Sequence, residues 1–366
     1  TFCLSYLFSL CIFKMKFKVT LSEFNKYKNM IYSCIFLLFI LIANGSIIYF
    51  KYKDEITKKE NSIIEKIKSS YNYHEKLKKK LFESPSNQLN TKILYGKDGN
   101  DCFNNHNSLE NCQYNKNGSM SKIYFIGGSN AANLSANIQD FFLKLDHSYS
   151  SLTFATCLYI QEYNKVDKFT NKIDELCNSK KLRKIKYDIS KNEGSIIILS
   201  SRFQLAYHGS YFDDGEGNIE GKVWRYIITP SKKLFESQNL LDNLSKDIFE
   251  LSIKNKIILI YPFPEFAVNS IKIKTINPKT IISSSYSSYL ERSKDIIDTF
   301  DKIKSNNIYR IYPDKIFCNT LINDRCISST EDTIYFEDAS HLTKEGIKII
   351  NNEIKKTYLK IISDKF

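Results

Sequence analysis

The sequence predicts a three-layer α/β domain with a mainly parallel sheet, preceded by a transmembrane helix and a helical stalk. Three observations predict this architecture. From about residue 119 onward, short apolar runs of strand length alternate with longer segments whose apolar residues recur at helical spacing. Residues 30–50 carry no charge and are numerous enough to cross a hydrocarbon core as a helix. A charged segment with helical spacing follows that run.

The N-terminal region is predicted to belong to the membrane. Residues 1–13 are apolar but too short to span, and we expect them to be the end of a membrane helix truncated at Thr1. Residues 14–28 contain five lysines and one acid, which predicts a cytoplasmic loop by the positive-inside rule. The transmembrane helix at 29–50 then leaves the rest of the chain outside the cell membrane.

The remaining chain is predicted to contain a stalk and linker at 51–118 and a compact domain at 119–366. The predicted strands of that domain are 122–126, 151–156, 195–199, 256–261 and 308–312, and the predicted helices are 131–145, 234–251, 286–303 and 347–358. Strands that alternate with helices form parallel sheets, in which ligands bind at the carboxyl ends of the strands.

The charge of the chain does not predict a nucleic-acid partner. The net charge is +13, but the lysines are spread through the sequence and no Arg-rich block or nucleic-acid motif is present. A solvated lysine-rich surface is the simpler interpretation, and a weak preference for anionic membrane surfaces or polysaccharides stays open.

Six cysteines lie outside the apolar N-terminal segments. They are Cys102, Cys112, Cys157, Cys177, Cys318 and Cys326. An even number outside the membrane favours disulfides in an oxidising compartment, and pairing between neighbours is preferred among the 15 possible connectivities. Buried free thiols are the alternative. No CxxC spacing and no histidine cluster accompany the cysteines, so no metal site is predicted.

The first candidate for chemistry is Ser129, which follows the first strand and two glycines. A serine at a helix N-terminus lies beside backbone N–H groups that can stabilise an oxyanion. A simple turn with a helix cap is the alternative interpretation.

The second candidate is the pair Asp338 and His341 near the C-terminus. A serine nucleophile needs a base, and that base needs an orienting carboxylate. Among the five histidines, only His341 has an aspartate three residues before it and a helix starting just after it. Both residues could instead cap that helix. In a parallel sheet, however, Ser129 and His341 are expected at the same edge.

These blocks together resemble the SGNH (GDSL-like) hydrolase superfamily, and in particular the SGNH domain fused to acyltransferase-3 membrane domains. The resemblance covers roughly residues 100–358. It is carried by residues 122–130 (KIYFIGGSN), 196–203 (IIILSSRF), 257–265 (IILIYPFPE) and 334–346 (IYFEDASHLTKEG). The last block is similar to the family's Tyr-x-Asp-x-x-His-Leu-Ser/Thr-x-x-Gly ending, with Phe336 in place of the tyrosine.

The resemblance implies an SGNH-like α/β/α fold and a membrane O-acyltransferase with a catalytic triad of Ser129, His341 and Asp338. An upstream acyltransferase-3 domain would supply the acyl group from acyl-CoA, and the chain itself would hold no cofactor. The acceptor would be a cell-surface polysaccharide or glycan, with the domain in the periplasm and the anchor in the lipid bilayer. The alternatives are a membrane-anchored carbohydrate esterase with the same triad and a degenerate, non-catalytic glycan-binding module.

The sequence departs from the family pattern around the nucleophile. Gly128 replaces the usual Asp, and Asn130 replaces the His of the fused branch. Arg202 follows the strand after which free SGNH esterases have their Gly-x-Asn-Asp block. We therefore expect the Ser129 backbone N–H to be one oxyanion donor. Gly128, Asn130 and Arg202 are candidates for further oxyanion or substrate contacts, and Arg202 could equally be a structural ion-pair residue.

Overall fold

The computed structural model describes residues 51–55, 57–58, 61–62, 93–114, 121–232 and 239–364. The chain divides into two compact units, Thr1–Asn72 and Tyr73–Phe366. The described residues of the first unit are helical. The predicted segments 1–13, 14–28 and 29–50 lie outside the described residues, as does much of the stalk. In the part of the chain that is described, no helix has both the length and the apolar character that a membrane crossing requires.

The second unit contains an α/β domain. Its strands are β1 (Gln113–Tyr114), β2 (Lys122–Gly127), β3 (Ser148–Thr153), β4 (Tyr163–Asp167), β5 (Ile196–Ser200), β6 (Tyr226–Pro230), β7 (Lys256–Ile260), β8 (Ile282–Ser285), β9 (Ile308–Ile311) and β10 (Arg325–Ser329). Its helices are α1 (Ser108–Asn111), α2 (Ser129–Lys144), α3 (Ser179–Ser190), α4 (Phe203–His208), α5 (Leu240–Lys254), α6 (Ser270–Ile276), α7 (Tyr286–Lys302), α8 (Asp314–Phe317) and α9 (Lys344–Ser363).

The central sheet has the strand order β1-β3-β2-β5-β7-β9. Strands β3, β2, β5, β7 and β9 run parallel, and β1 pairs antiparallel with β3 at one edge. The carboxyl ends of β2 and β5 are in register, since Gly127 lies beside Ser200. Loops that leave these ends therefore start from one side of the sheet, which is where ligands bind in such folds.

Both faces of this sheet are buried, which makes the domain three layers thick. In β2, Ile123 and Phe125 face the core under α2 and α9, whereas Tyr124 and Ile126 face the core under α3, α5 and most of α7. Alternate strand residues point to opposite faces, so a strand that is apolar throughout requires helices on both sides. Each fully buried large apolar side chain contributes about 1.5–3 kcal/mol to the stability of the folded state.

The turn from β2 into α2 requires glycine at position 127. Gly127 has a φ of +143°, and a Cβ there would lie 1.8 Å from the Ser200 carbonyl oxygen. The backbone at position 127 can therefore approach β5 this closely only if it carries no side chain. On α2 itself, Leu134, Ile138 and Phe142 form the buried stripe that fixes the helix on the sheet. Helix α2 thus begins at a defined point above the sheet edge.

The five predicted strands all occur in the central sheet, with small differences in their bounds. The largest difference is in β3, which begins at Ser148 rather than at residue 151. Two antiparallel ribbons, β4–β6 and β8–β10, were not predicted. The sequence of β8 is Ile-Ser-Ser-Ser, so its serines interrupt the apolar alternation that identifies a strand.

The six cysteines form three disulfides between neighbours: Cys102–Cys112, Cys157–Cys177 and Cys318–Cys326. This is the local pairing that was preferred from the sequence, and the free-thiol alternative is wrong. Disulfides persist in oxidising compartments, so they indicate an extracytoplasmic domain.

Candidate active site

Ser129 is the first residue of α2, directly after the glycine turn. Its Oγ lies 2.8 Å from Nε2 of His341, although the two residues are 212 positions apart in the chain. Gly128 precedes the helix as its N-cap residue and makes no side-chain cap. The serine hydroxyl is therefore not used to cap the helix, and it instead contacts the imidazole ring.

His341 is held from its other side by Asp338. The ring Nδ1 lies 2.8 Å from Oδ2 and 3.0 Å from Oδ1 of the carboxylate. Oδ1 also accepts the backbone N–H groups of Ser340 and His341, at 3.0 Å and 2.9 Å. An anion at Nδ1 favours the tautomer that carries its proton there, so Nε2 is left to accept the proton of Ser129.

The loop that contains Asp338 and His341 does not follow a strand of the central sheet. It follows β10, which pairs with β8 in a separate ribbon. Two contacts hold the loop against the segment that follows β7: the buried Phe336 ring packs on the Phe266 ring with centroids 4.8 Å apart, and the backbone N–H of Phe266 donates to the carbonyl of Ala339 at 2.9 Å. β10 therefore lies between the last strand of the central sheet, β9, and this loop.

The cap of α9 is Thr343, whose side chain accepts the backbone N–H of Gly346. Asp338 and His341 therefore do not cap this helix, which was the alternative interpretation of the motif. Gly346 also has a packing role, since a Cβ there would lie 2.3 Å from the carbonyl oxygen of Tyr335. The conformation of the loop thus depends on close backbone packing at the start of α9.

The electrostatics of the pair favour an ionised aspartate. Burial raises the pKa of Asp338, but the hydrogen bond and charge of His341, together with the two backbone N–H groups, lower it to about 2. For His341, burial lowers the pKa, while the hydrogen bond and charge of Asp338 and the charge of Glu337 raise it more. Asp338 is therefore charged at neutral pH, and the imidazolium form of His341 is stabilised.

Glu337 is a residue of this site that the sequence reasoning missed. Burial and the charge of Asp338 raise the pKa of its carboxyl to about 7, while the charge of His341 lowers it. The available signal was its place directly before Asp338, which puts two carboxylates next to each other in the motif.

Gly128, Asn130 and Arg202 were the candidates for further oxyanion or substrate contacts, in addition to the Ser129 backbone N–H. The Gly128 N–H already donates to the Ser200 carbonyl at 3.1 Å and to the Ser201 hydroxyl at 3.0 Å. Ser129 opens α2, so its backbone N–H has no partner within the helix. The Asn130 side chain is 2% exposed, and neither its amide nitrogen nor its oxygen has a hydrogen-bond partner among the described residues.

Arg202 is engaged by two carboxylates, of which Glu265 is buried and Glu220 is partly exposed. Its terminal nitrogens donate to Glu220 at 2.8 Å and 2.5 Å, and its Nε donates to Glu265 at 2.5 Å. Glu265 is 2% exposed and also binds Arg292. Of the two interpretations left open for Arg202, the structural ion pair is the one that these contacts fit.

The described residues include one cluster whose atoms lie close enough together to hold a metal ion. It consists of Glu337, Asp338 and His341, with one potential ligand atom from each residue within 4.8 Å of the others. Both ring nitrogens of His341 already have partners, Asp338 at Nδ1 and Ser129 at Nε2. We therefore assign no metal to this cluster.

The arrangement of Ser129, His341 and Asp338 has a definite chemical capability. A hydroxyl in contact with a neutral imidazole nitrogen can lose its proton as it attacks an ester, and the carboxylate stabilises the resulting imidazolium. Ser129 begins α2, so the unpaired N–H groups of the first helical turn are near the nucleophile and could donate to an oxyanion there. Such a site fits acyl transfer or ester hydrolysis.

Comparison with known proteins assigns the chain to a family. None of the curated proteins compared with the chain matches it significantly. A solved structure, the periplasmic domain of the lipopolysaccharide acetyltransferase of Salmonella ser. Paratyphi A, is similar over 67% of this chain and 85% of that chain, with 20% sequence identity and a TM-score of 0.40. The family model of the SGNH domain that is fused to AT3 domains matches residues 97–356. That match covers well over half of the sequence and includes all three residues of the triad, and on this basis the chain belongs to the family of SGNH domains fused to AT3 domains.

Proposed function

We propose that this chain is the outer part of a membrane-anchored O-acyltransferase, and that it moves an acyl group, acetyl in the simplest case, to a hydroxyl of a cell-surface glycan. The observation that carries the proposal is the continuous contact from Ser129 through His341 to Asp338. The family is defined by fusion to AT3 domains, which supports an upstream membrane domain as the source of the acyl group. Acyl-CoA would be the donor to that domain.

The proposed reaction has two steps. Ser129 Oγ attacks the acyl carbonyl carbon while its proton moves to Nε2 of His341; the bond to the leaving group then breaks, and the leaving group takes that proton. The glycan hydroxyl next attacks the acyl-serine and gives its proton to His341, and the Ser129 oxygen leaves and recovers that proton. Asp338 remains ionised throughout and orients the ring.

The triad can be tested by hydrolysis of p-nitrophenyl acetate, with water in place of the glycan. We expect Ser129→Ala and His341→Ala in the full chain to lose activity by about 10³-fold or more, because either change removes the activated nucleophile. Ser287→Ala and His106→Ala are the matched controls, since both residues are exposed and distant from the triad in sequence. Equal activity of Ser129→Ala and wild type would refute the proposal.

A carbohydrate esterase is the second candidate, because the same contacts would serve hydrolysis with water as the acceptor. Incubation of an acyl donor with and without a glycan, followed by product analysis, separates the two functions. Acylated glycan supports the transferase. Free acid as the only product, with the acceptor present, supports the esterase.

A further inference from the structure

The carboxyl of Glu337 lies next to the triad and has no role in the mechanism above. One ligand atom each of Glu337, Asp338 and His341 lies within 4.8 Å of the others. The backbone explains this arrangement, because the Glu337 N–H donates to the His341 carbonyl at 2.9 Å and closes the turn that contains Asp338. The same turn therefore places two carboxylates against one imidazole ring.

The surroundings of Glu337 make the His341 ring its main counter-charge. Among the described residues, the ionisable groups that act on this carboxyl are Asp338, which opposes its ionisation, and His341, which favours it. The positive charge of Arg202 lowers the pKa of His341, but this guanidinium is paired with Glu220 and Glu265.

Helix α6 contributes no competing cation at close range. Its Ile271 N–H donates to the Glu337 carbonyl, which brings the helix against this loop. The Lys274 ammonium on α6 is occupied by three backbone carbonyls, those of Pro278, Thr330 and Glu331. The other lysine of the helix, Lys272, is exposed. The Glu337 carboxylate therefore interacts mainly with Asp338 and His341 of the triad.

We propose that Glu337 is a positioning residue of this site, whose carboxylate stabilises the His341 imidazolium that forms when Ser129 gives up its proton. The inference rests on the proposed function, since it assigns a role in the same proton transfer. At a pH where the resting ring is neutral, the second carboxylate adds little stabilisation. In the transition state the ring is positive, so a second nearby anion lowers the barrier selectively.

The proposal predicts a distinctive pH dependence. His341 must be neutral to accept the serine proton, and the Glu337 carboxylate raises the pKa of that ring. The two groups carry opposite charges when they are ionised, so protonation of one disfavours protonation of the other, and they titrate as a coupled pair. The acid limb of activity in the wild type should therefore lie at higher pH than it would without the Glu337 charge, and it should depart from the shape of a single protonation.

The test compares wild type with Glu337→Gln, which keeps the size of the side chain but removes its charge. The full chain in detergent is assayed with p-nitrophenyl acetate from about pH 5 to pH 9. We expect kcat at pH 8 to fall about tenfold. We also expect the acid limb to move to lower pH and to show a single protonation, because His341 has lost a neighbouring anion. Glu337→Asp should restore part of both effects.

Glu345→Gln is the matched control, because this half-exposed acid lies four residues after His341 and pairs with Lys348 at 3.9 Å. Its profile should match that of wild type. The pKa of the His341 ring, measured by NMR in a chain with only five histidines, provides a readout independent of turnover. It should be lower in Glu337→Gln than in wild type.

The outcomes separate this inference from the proposed function. An unchanged ring pKa, or pH profiles that superimpose, would overturn the role of Glu337 even if Ser129→Ala is inactive. Full activity of Ser129→Ala would overturn the proposed function instead, while the NMR shift would still report whether Glu337 acts on the ring.

Discussion

At the scale of single residues, the triad depends on contacts that sequence can anticipate and on others that it cannot. Ser129, Asp338 and His341 were predicted together because the residue types, their order and the fold class all point to one edge of a sheet. The partners of Arg202 were not predictable, since Glu220 and Glu265 are 18 and 63 residues away and no pattern links them. The raised pKa of Glu337 also depends on burial, which only the folded structure reveals.

Gly346 is a residue where a single methyl group should disturb the site. In Gly346→Ala the Cβ would meet the Tyr335 carbonyl oxygen and Leu342 Cδ2, so the start of α9 has to shift. We expect the free energy of unfolding to fall by about 1–3 kcal/mol, measured by urea denaturation, with a loss of esterase activity. Gly194→Ala is an informative control, because its Cβ would meet nothing within 4 Å although its φ is +77°. It should reduce stability through backbone strain but leave activity intact.

At the scale of secondary-structure elements, the parallel strands were predictable and the ribbons were not. A strand buried on both faces, such as β7, is a continuous apolar run, and its sequence shows this directly. The ribbon β8–β10 is built largely from serines whose burial arises from tertiary packing. The DASH loop (residues 338–341) therefore reaches the sheet edge by a route that hydrophobic periodicity does not reveal.

Glu265 links three elements through its two arginine partners. It binds Arg202 before α4 and Arg292 on α7, and it lies just after β7. In Glu265→Gln both guanidinium groups lose a buried counter-charge, so we expect the free energy of unfolding to fall by about 3–5 kcal/mol. Glu193→Gln is the matched control, because its pair with Lys254 is exposed and should contribute less than about 1 kcal/mol. A similar loss in both variants would contradict the special role of this buried network.

At the scale of the whole molecule, the disulfides should set the stability of the domain according to the loop that each one closes. Cys157–Cys177 spans 20 residues and Cys318–Cys326 spans 8. Replacing both cysteines of the longer loop by serine should lower the free energy of unfolding by about 3 kcal/mol in the chain-entropy description. The corresponding change in the shorter loop should cost less. Urea denaturation of the two double variants checks this order, and a larger loss from the shorter loop would contradict it.

The separation of 212 residues between nucleophile and base has a consequence for biosynthesis. A ribosome completes the segment with Ser129 long before it reaches His341, so a nascent chain carries its hydroxyl without a general base. In the proposed mechanism, premature termination before residue 338, or proteolytic trimming of the C-terminus past that point, would therefore leave the Ser129 hydroxyl without its base. The proposed activity would then begin only after residue 341 has been translated.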